Sequence, residues 1–295
     1  MRHAADEGTI GLSEAFECLV ATIQEVRAHS IGKYSLIWEE NVGSRPLYEW
    51  LFHSDIGIDP EVAFALRLAL DRTPDWDAAW DATGIPSEVS IDGVTQNAVS
   101  VSAAARETHE GRATGCLSCL RSRSGRFPVG GGAHVTDLHF IALPRDILAF
   151  FRDVPEVEAL GEDAYFENAA FAFPNVHFTR ERTHFGHFDE RYETIRCKVT
   201  AHLAVLNDYA RAILETPDPA DAKQARFGSY GINASTESAQ TKANRKAMRQ
   251  REVSVAGLVV VCDWHTKLRP HIDRIYFNAT ASDRVVVGSF RDHLD

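Results

Sequence analysis

Apolar residues recur at spacings of three and four through Phe16, Leu19, Ile23 and Val26. This predicts a helix that opens near Ser13 and Glu14, runs to about His29 and buries one face. Tyr34 to Trp38 reads as a short strand. Proline is tolerated in the first helical turn, so Pro46 opens a helix carrying Leu47, Trp50 and Leu51, and Pro60 opens another through Val62, Leu66, Ala69 and Leu70. Between Pro86 and Pro144 the periodicity weakens. Two β-like pieces, Glu88 to Ile91 and Val135 to Ile141, flank a loop rich in serine, arginine and glycine from Ser122 to Gly132. Helical spacing returns at Ile147 to Phe151. It is clearest from Glu190 to Leu214, where Tyr192, Ile195, Val199, Leu203, Leu206, Tyr209 and Ile213 trace one apolar stripe.

The stretch from Glu215 to Ser238 has two prolines, two glycines and few large apolar residues, and reads as a linker or binding loop. A basic run follows, Lys242 to Arg251. The tail then alternates as strands do: Glu252 to Val255, a tight turn at Ala256 and Gly257, Leu258 to Lys267, Asp273 to Asn278, and Arg284 to Phe290. The expected architecture is α+β. Residues 1–215 form a helix-rich scaffold or sensing body, 216–240 a linker or loop, and 241–295 a small C-terminal antiparallel sheet that leans on the long helix for a core. No internal repeat is visible.

Composition narrows the classes. A formal net charge of −11 argues against indiscriminate coating of nucleic acid, which lysines and arginines drive. The charge is uneven: from Asp221 onward 12 Lys and Arg face 8 Asp and Glu, a surplus of 4. That leaves 19 against 34, a balance of −15, for residues 1–220. A basic tail on an acidic body suits a local phosphate ligand, and equally a solvated surface. Five scattered cysteines, odd in number, do not form a disulfide framework and point to a reducing, cytoplasmic setting. The N-terminal run MRHAADEGTIGLSEAF has no continuous apolar core of the secretory kind, and the longest apolar run, Leu258 to Cys262, is too short for a membrane span.

The chemistry concentrates in the last fifty residues. Alternation along a strand from Leu258 to Lys267 places Asp263, His265 and Lys267 on one face and Leu258, Val260, Cys262 and Trp264 on the other. Arg274 and Tyr276 share a face of the next strand, which a hairpin through Arg269 to Ile272 brings alongside. A phosphate meeting Lys267 and Arg274 while His265 or Tyr276 handles a proton is the arrangement that charge stabilisation and acid–base catalysis require. The competing reading is an amphipathic edge strand in which Asp263, Lys267 and Arg274 form salt bridges.

The run NASTESAQTKANRKAMRQREV, then CDWHTKLRPHIDRIYF, then VVVGSFRDHL resembles a group of bacterial proteins associated with mobile and defence loci. Their pattern is roughly Ser-Glu-Ser, a basic helix, Trp-His-x-Lys-Leu, Arg-Ile-His-Phe, and Gly followed by His-Leu. Tyr276 stands where that pattern has histidine, and Glu237 and Ser238 fit it without a derivable role. The strand pattern is also similar to the sheet of RelE-like ribonuclease toxins, which cleave RNA without metal. The resemblance covers about the last sixty residues and implies a metal-independent ribonuclease in a toxin or defence setting. On that reading Lys267 and Arg274 hold the scissile phosphate, His265 activates a ribose 2′-hydroxyl, and His271 or His293 protonates the leaving oxygen. RNA is the favoured partner, a protein partner is open, and no cofactor is expected. Two alternatives stand beside it. One is a module that binds nucleic acid, a nucleotide or a protein without turnover. The other is a metal-dependent DNA nuclease using Asp263 and Lys267, with His265 where a second carboxylate is usual.

Three further clusters invite a metal or phosphate reading. Cys116, Cys119, His134 and His139 have C-x2-C-x14-H-x4-H spacing close to that of a zinc finger, although Gly130 to Gly132 break the helix a finger needs. His177, His184 and His187 lie among phenylalanines, where packing is the competing account. The glycines at 130–132 lack the lysine and hydroxyl residue of a phosphate loop.

Overall fold

The computed structural model of this chain describes residues 14, 16–21, 23, 31–33, 35–42, 44–53, 58–75, 85–119, 123–131, 134–270 and 272–292. Contacts divide the chain into two compact units, Met1–Ala159 and Leu160–Asp295.

The first unit is built on a sheet. Its strands are β1 (Ile31–Gly32), β2 (Asn41–Val42), β3 (Arg45–Pro46), β4 (Glu88–Ile91), β5 (Val94–Asn97), β6 (Gly115–Leu117), β7 (Gly125–Gly131) and β8 (His134–Ile141). Six of them form one sheet in the order β1-β6-β8-β7-β4-β5, while β2 and β3 pair separately. The run read as a glycine-rich loop is β7, paired antiparallel with β8 from Gly125↔Phe140 to Gly131↔His134. Weak local propensity there is overridden by the partner strand, whose register is set by buried Leu138, Phe140 and Ile141. Helices Val99–His109 and Pro144–Val157 pack against this sheet.

The second unit carries a long amphipathic rod. Helix Tyr192–Val205 passes through a π-helical turn, Leu206–Ala210, into helix Arg211–Leu214. Ile195, Val199, Leu203, Leu206 and Ile213 of the predicted stripe are buried, but Tyr209 is exposed and Ala210 takes its place inside. The wider turn advances the buried position by one residue.

Its strands are β9 (Val176–Phe178), β10 (Asn233–Thr236), β11 (Glu252–Val255), β12 (Leu258–Val261), β13 (Trp264–Lys267), β14 (Arg274–Asn278) and β15 (Val285–Arg291). A five-stranded sheet runs β10-β13-β14-β15-β9, and β11 and β12 form a separate hairpin. The hairpin turns at Ala256 (φ 49°) and Gly257 (φ 82°), the paired positive φ of a type I′ connection. The stretch read as one strand from Leu258 to Lys267 is therefore two strands in two sheets, interrupted at Cys262 and Asp263. One strand's alternation does not extend across that break. Residues 216–240, read as linker or loop, hold helix Ala220–Ser229 and edge strand β10.

The expected fold class is overturned. The described residues contain ten α-helices and fifteen strands in four sheets spread along the chain, a mixed α/β architecture rather than a helix-rich body with one small C-terminal sheet. Non-local pairing is the physical reason, since short strands of mixed polarity become strands only when a partner supplies their hydrogen bonds. None of the described helices is long and apolar enough to cross a membrane.

Candidate active site on the second sheet

Register decides which groups meet. Strand β13 pairs antiparallel with β14 so that His265 lies opposite Tyr276 and Lys267 opposite Arg274. On the outer side of β13, β10 places Ser235 opposite His265 and Asn233 opposite Lys267. On the far side of β14, β15 places Ser289 opposite Tyr276 and Arg291 opposite Arg274. Directly paired residues point to the same face, and so do residues two apart along a strand. One face therefore carries two adjacent rows, Ser235–His265–Tyr276–Ser289 and Asn233–Lys267–Arg274–Arg291. The opposite face carries Ala234, Thr266, Ile275 and Phe290, all buried. There Thr266 Oγ1 lies 2.6 Å from His202 Nδ1 of the long helix.

The second row sets three half-buried cations side by side. Among the described residues none forms a salt bridge with Lys267, Arg274 or Arg291, and none gives the buried Nε of Arg274 a hydrogen-bond partner. Two carboxylates of this region are engaged elsewhere. Asp263 pairs with Lys242 at 3.0 Å, outside the Asp263–Lys267–Arg274 bridge considered above. Asp273, at the turn between β13 and β14, accepts from Arg269 Nε at 2.7 Å, and Arg269 also meets Asp189 at 2.9 Å. Like charges directly opposite on neighbouring strands repel, by roughly 0.2–1 kcal/mol per pair, and an anion bridging them removes that cost.

The first row centres on His265. His265 is 4% exposed, and its Nε2 lies 3.2 Å from the Oγ of half-buried Ser235. Its Nδ1 stands 3.5 Å from Glu237 Oε1, an ion-pair distance rather than a hydrogen bond. Glu237 is itself gripped by Arg251, Nε to Oε1 at 2.7 Å, in a pair buried at both ends. Arg251 also donates to the Ala247 carbonyl at 2.7 Å. Burial opposes ionisation of Glu237, but its contacts with His265 and Arg251 prevail and hold the carboxyl down at about 2. Burial lowers the pKa of His265, Glu237 pulls it the other way, and Arg274 and Lys267 reinforce burial. The ring is a neutral base beside a carboxylate able to stabilise its protonated form.

The predicted residues divide accordingly. His265, Lys267, Arg274 and Tyr276 share the face. Tyr276 is fully buried there, packed with Val253, Val260, Cys262 and Val286 under the β11–β12 hairpin, with the Arg251 guanidinium 5.4 Å from its ring centre. It is a core residue, out of reach of a substrate. His271 and His293 lie outside the described residues. Sequence reasoning missed Ser235 and Arg291 and found no role for Glu237. The period-two spacing of Ser235 and Glu237 is a usable signal, hidden by the apparent loop around them.

The other clusters do not converge. Cys116 pairs with Phe140 and Gly115 with His139, so Cys116 and His139 face opposite sides of the first sheet. His139 Nε2 is bonded to Asp153 at 2.9 Å, and His134 packs against His109. His184 meets Glu162 at 3.4 Å, and His187 Nδ1 donates to the Arg182 carbonyl at 3.2 Å. Among the described residues no three His, Cys, Asp or Glu side chains are grouped to hold a metal ion. Protein-family models, curated proteins and solved structures yield no match to the chain.

Proposed function

We propose that this protein is a nuclease that cuts phosphodiesters without a metal, with RNA as the favoured substrate, in a cytoplasmic toxin or defence setting. The observation that carries the chemical part is the cation row Lys267–Arg274–Arg291, unmatched by acids among the described residues and one register step from a neutral histidine. The row binds the scissile phosphate and stabilises the charge that grows on it in the transition state. His265 takes the proton of the attacking hydroxyl, and Glu237 stabilises the resulting imidazolium. RNA, the defence setting and a protein partner rest on the resemblance alone. The metal-dependent alternative is less well supported, because the carboxylate of Asp263 is tied to Lys242.

Incubating the purified protein with labelled RNA and DNA, with and without chelator, tests this reading. Cleavage that survives chelation and falls by about 10²–10⁴ in His265→Ala is expected. Cleavage unaffected in both His265→Ala and Lys267→Ala would remove the site from the chemistry. A second reading, binding without turnover, is favoured by the deep burial of His265. It predicts oligonucleotide affinity that depends on Lys267 and Arg274 in a protein that never cleaves.

A further inference from the structure

The Nε2 of His265 already faces a hydroxyl, and it belongs to the protein. Ser235 lies on β10, the edge strand of the sheet, where a substrate can approach from the side. Its Oγ is 3.2 Å from Nε2, while Glu237 stands at the other ring nitrogen. Nucleophile, base and orienting carboxylate thus follow one another in the order that covalent catalysis by serine needs. Arg251, locked on Glu237, keeps the carboxylate ionised and in place. Two residues along the same face, Lys267 and Arg274 mark where a negatively charged group would sit. With the ring 4% exposed, a ribose hydroxyl has poor access to it, whereas the serine is half-buried and already touches the ring.

We propose that Ser235 is a nucleophile activated by His265 and oriented through Glu237, and that it attacks the phosphorus of a phosphodiester held by Lys267 and Arg274. The substrate class rests on the nuclease reading above; the serine chemistry rests on the Ser235–His265–Glu237 geometry. In the first step the serine proton passes to Nε2, an Oγ–P bond forms and the bond from phosphorus to the leaving ester oxygen breaks. The leaving oxygen takes a proton from the Lys267 ammonium. A water molecule then attacks phosphorus and gives a proton back to the Lys267 amine. The Oγ–P bond breaks, and the serine oxygen recovers its proton from His265. The sum is hydrolysis of one ester bond by one water molecule, with every side chain restored. No ribose 2′-hydroxyl takes part.

The test uses the full chain and a fluorophosphonate probe, read by intact mass and peptide mapping. A single adduct on Ser235 is expected. It should be absent from Ser235→Ala and reduced by about 10²-fold or more in His265→Ala. Exposed Ser238, whose hydroxyl bonds Thr241 at 2.9 Å, should stay unlabelled in the same digest. Should His265→Ala fail to fold, Ser235→Ala at its half-buried edge position and the Ser238 comparison carry the result. The second arm uses an RNA oligonucleotide and its counterpart with a 2′-deoxy sugar at the cleavage site, and both should be cut. Labelling of Ser235 without cleavage of either supports the serine and sinks the nuclease reading. Cleavage of RNA alone, without labelling, keeps the nuclease and overturns the serine.

Discussion

Replacing Arg251 by methionine isolates the electrostatic lock behind the site. Arg251 is 2% exposed and Glu237 8%, so the substitution strands a carboxylate in the interior. It loses the 2.7 Å contact to Glu237 and the 2.7 Å bond to the Ala247 carbonyl. Holding the carboxyl at about 2 instead of its ordinary 4.5, a shift that His265 and Arg251 produce together, corresponds to about 3 kcal/mol in favour of the ionised form, at 1.36 kcal/mol per pH unit. Breaking a buried ion pair from one side costs about 3–5 kcal/mol, and this sets the expected loss. At roughly 2–4 °C per kcal/mol, thermal unfolding should move down by about 6–20 °C. Because the folded pKa lies below the unfolded one, the wild-type contribution is complete above pH 4.5 and is lost as pH falls through about 2. Urea unfolding at neutral pH measures the loss. The double variant Glu237→Gln with Arg251→Met, which removes both charges of this buried pair, should recover at least about half of it, since a neutral pair avoids the desolvation cost. A loss below about 1 kcal/mol in Arg251→Met, or a double variant no more stable than the single one, would refute the argument.

Burial pushes the His202 imidazole down to about 4, with Lys198 adding to it. From pH 6.5 to about 4 the unfolded chain binds a proton that the folded one refuses, so stability falls as pH falls. A His202→Gln variant should lose that slope in urea titrations across the window. Gly288 is the extra residue where β15 passes β14 between Tyr276 and Phe277, and a Cβ there would meet Cys262 Sγ at 2.5 Å. Gly288→Ala should therefore lower stability by about 1–3 kcal/mol by thermal melting, and adding Cys262→Ala should restore most of it. Removing Lys267 or Arg274 should weaken oligonucleotide binding and lower the slope of log affinity against log salt by about one each in anisotropy titrations. An unchanged slope would place the phosphate elsewhere.

Local periodicity was enough to reveal the stripe from Ile195 to Ile213, the helix opening at Pro60, the turn at Ala256 and Gly257, and the shared face of His265 with Lys267 and of Arg274 with Tyr276. These depend on residues a few positions apart, and backbone geometry fixes such relations within each element. Tertiary structure decided which strands lie side by side. It made Gly125–Gly131 a strand, broke Leu258–Lys267 between two sheets, and drew Asn233–Thr236 out of an apparent loop to the edge of the site. It also hid Tyr276 beneath the β11–β12 hairpin and brought Ser235, Glu237, Arg251 and Arg291 around His265 and Arg274. Sheet pairing joins residues tens of positions apart through backbone hydrogen bonds that carry no side-chain signature. The alternation of a single strand tells which residues share a face, while the chemistry of that face depends on the neighbours it acquires.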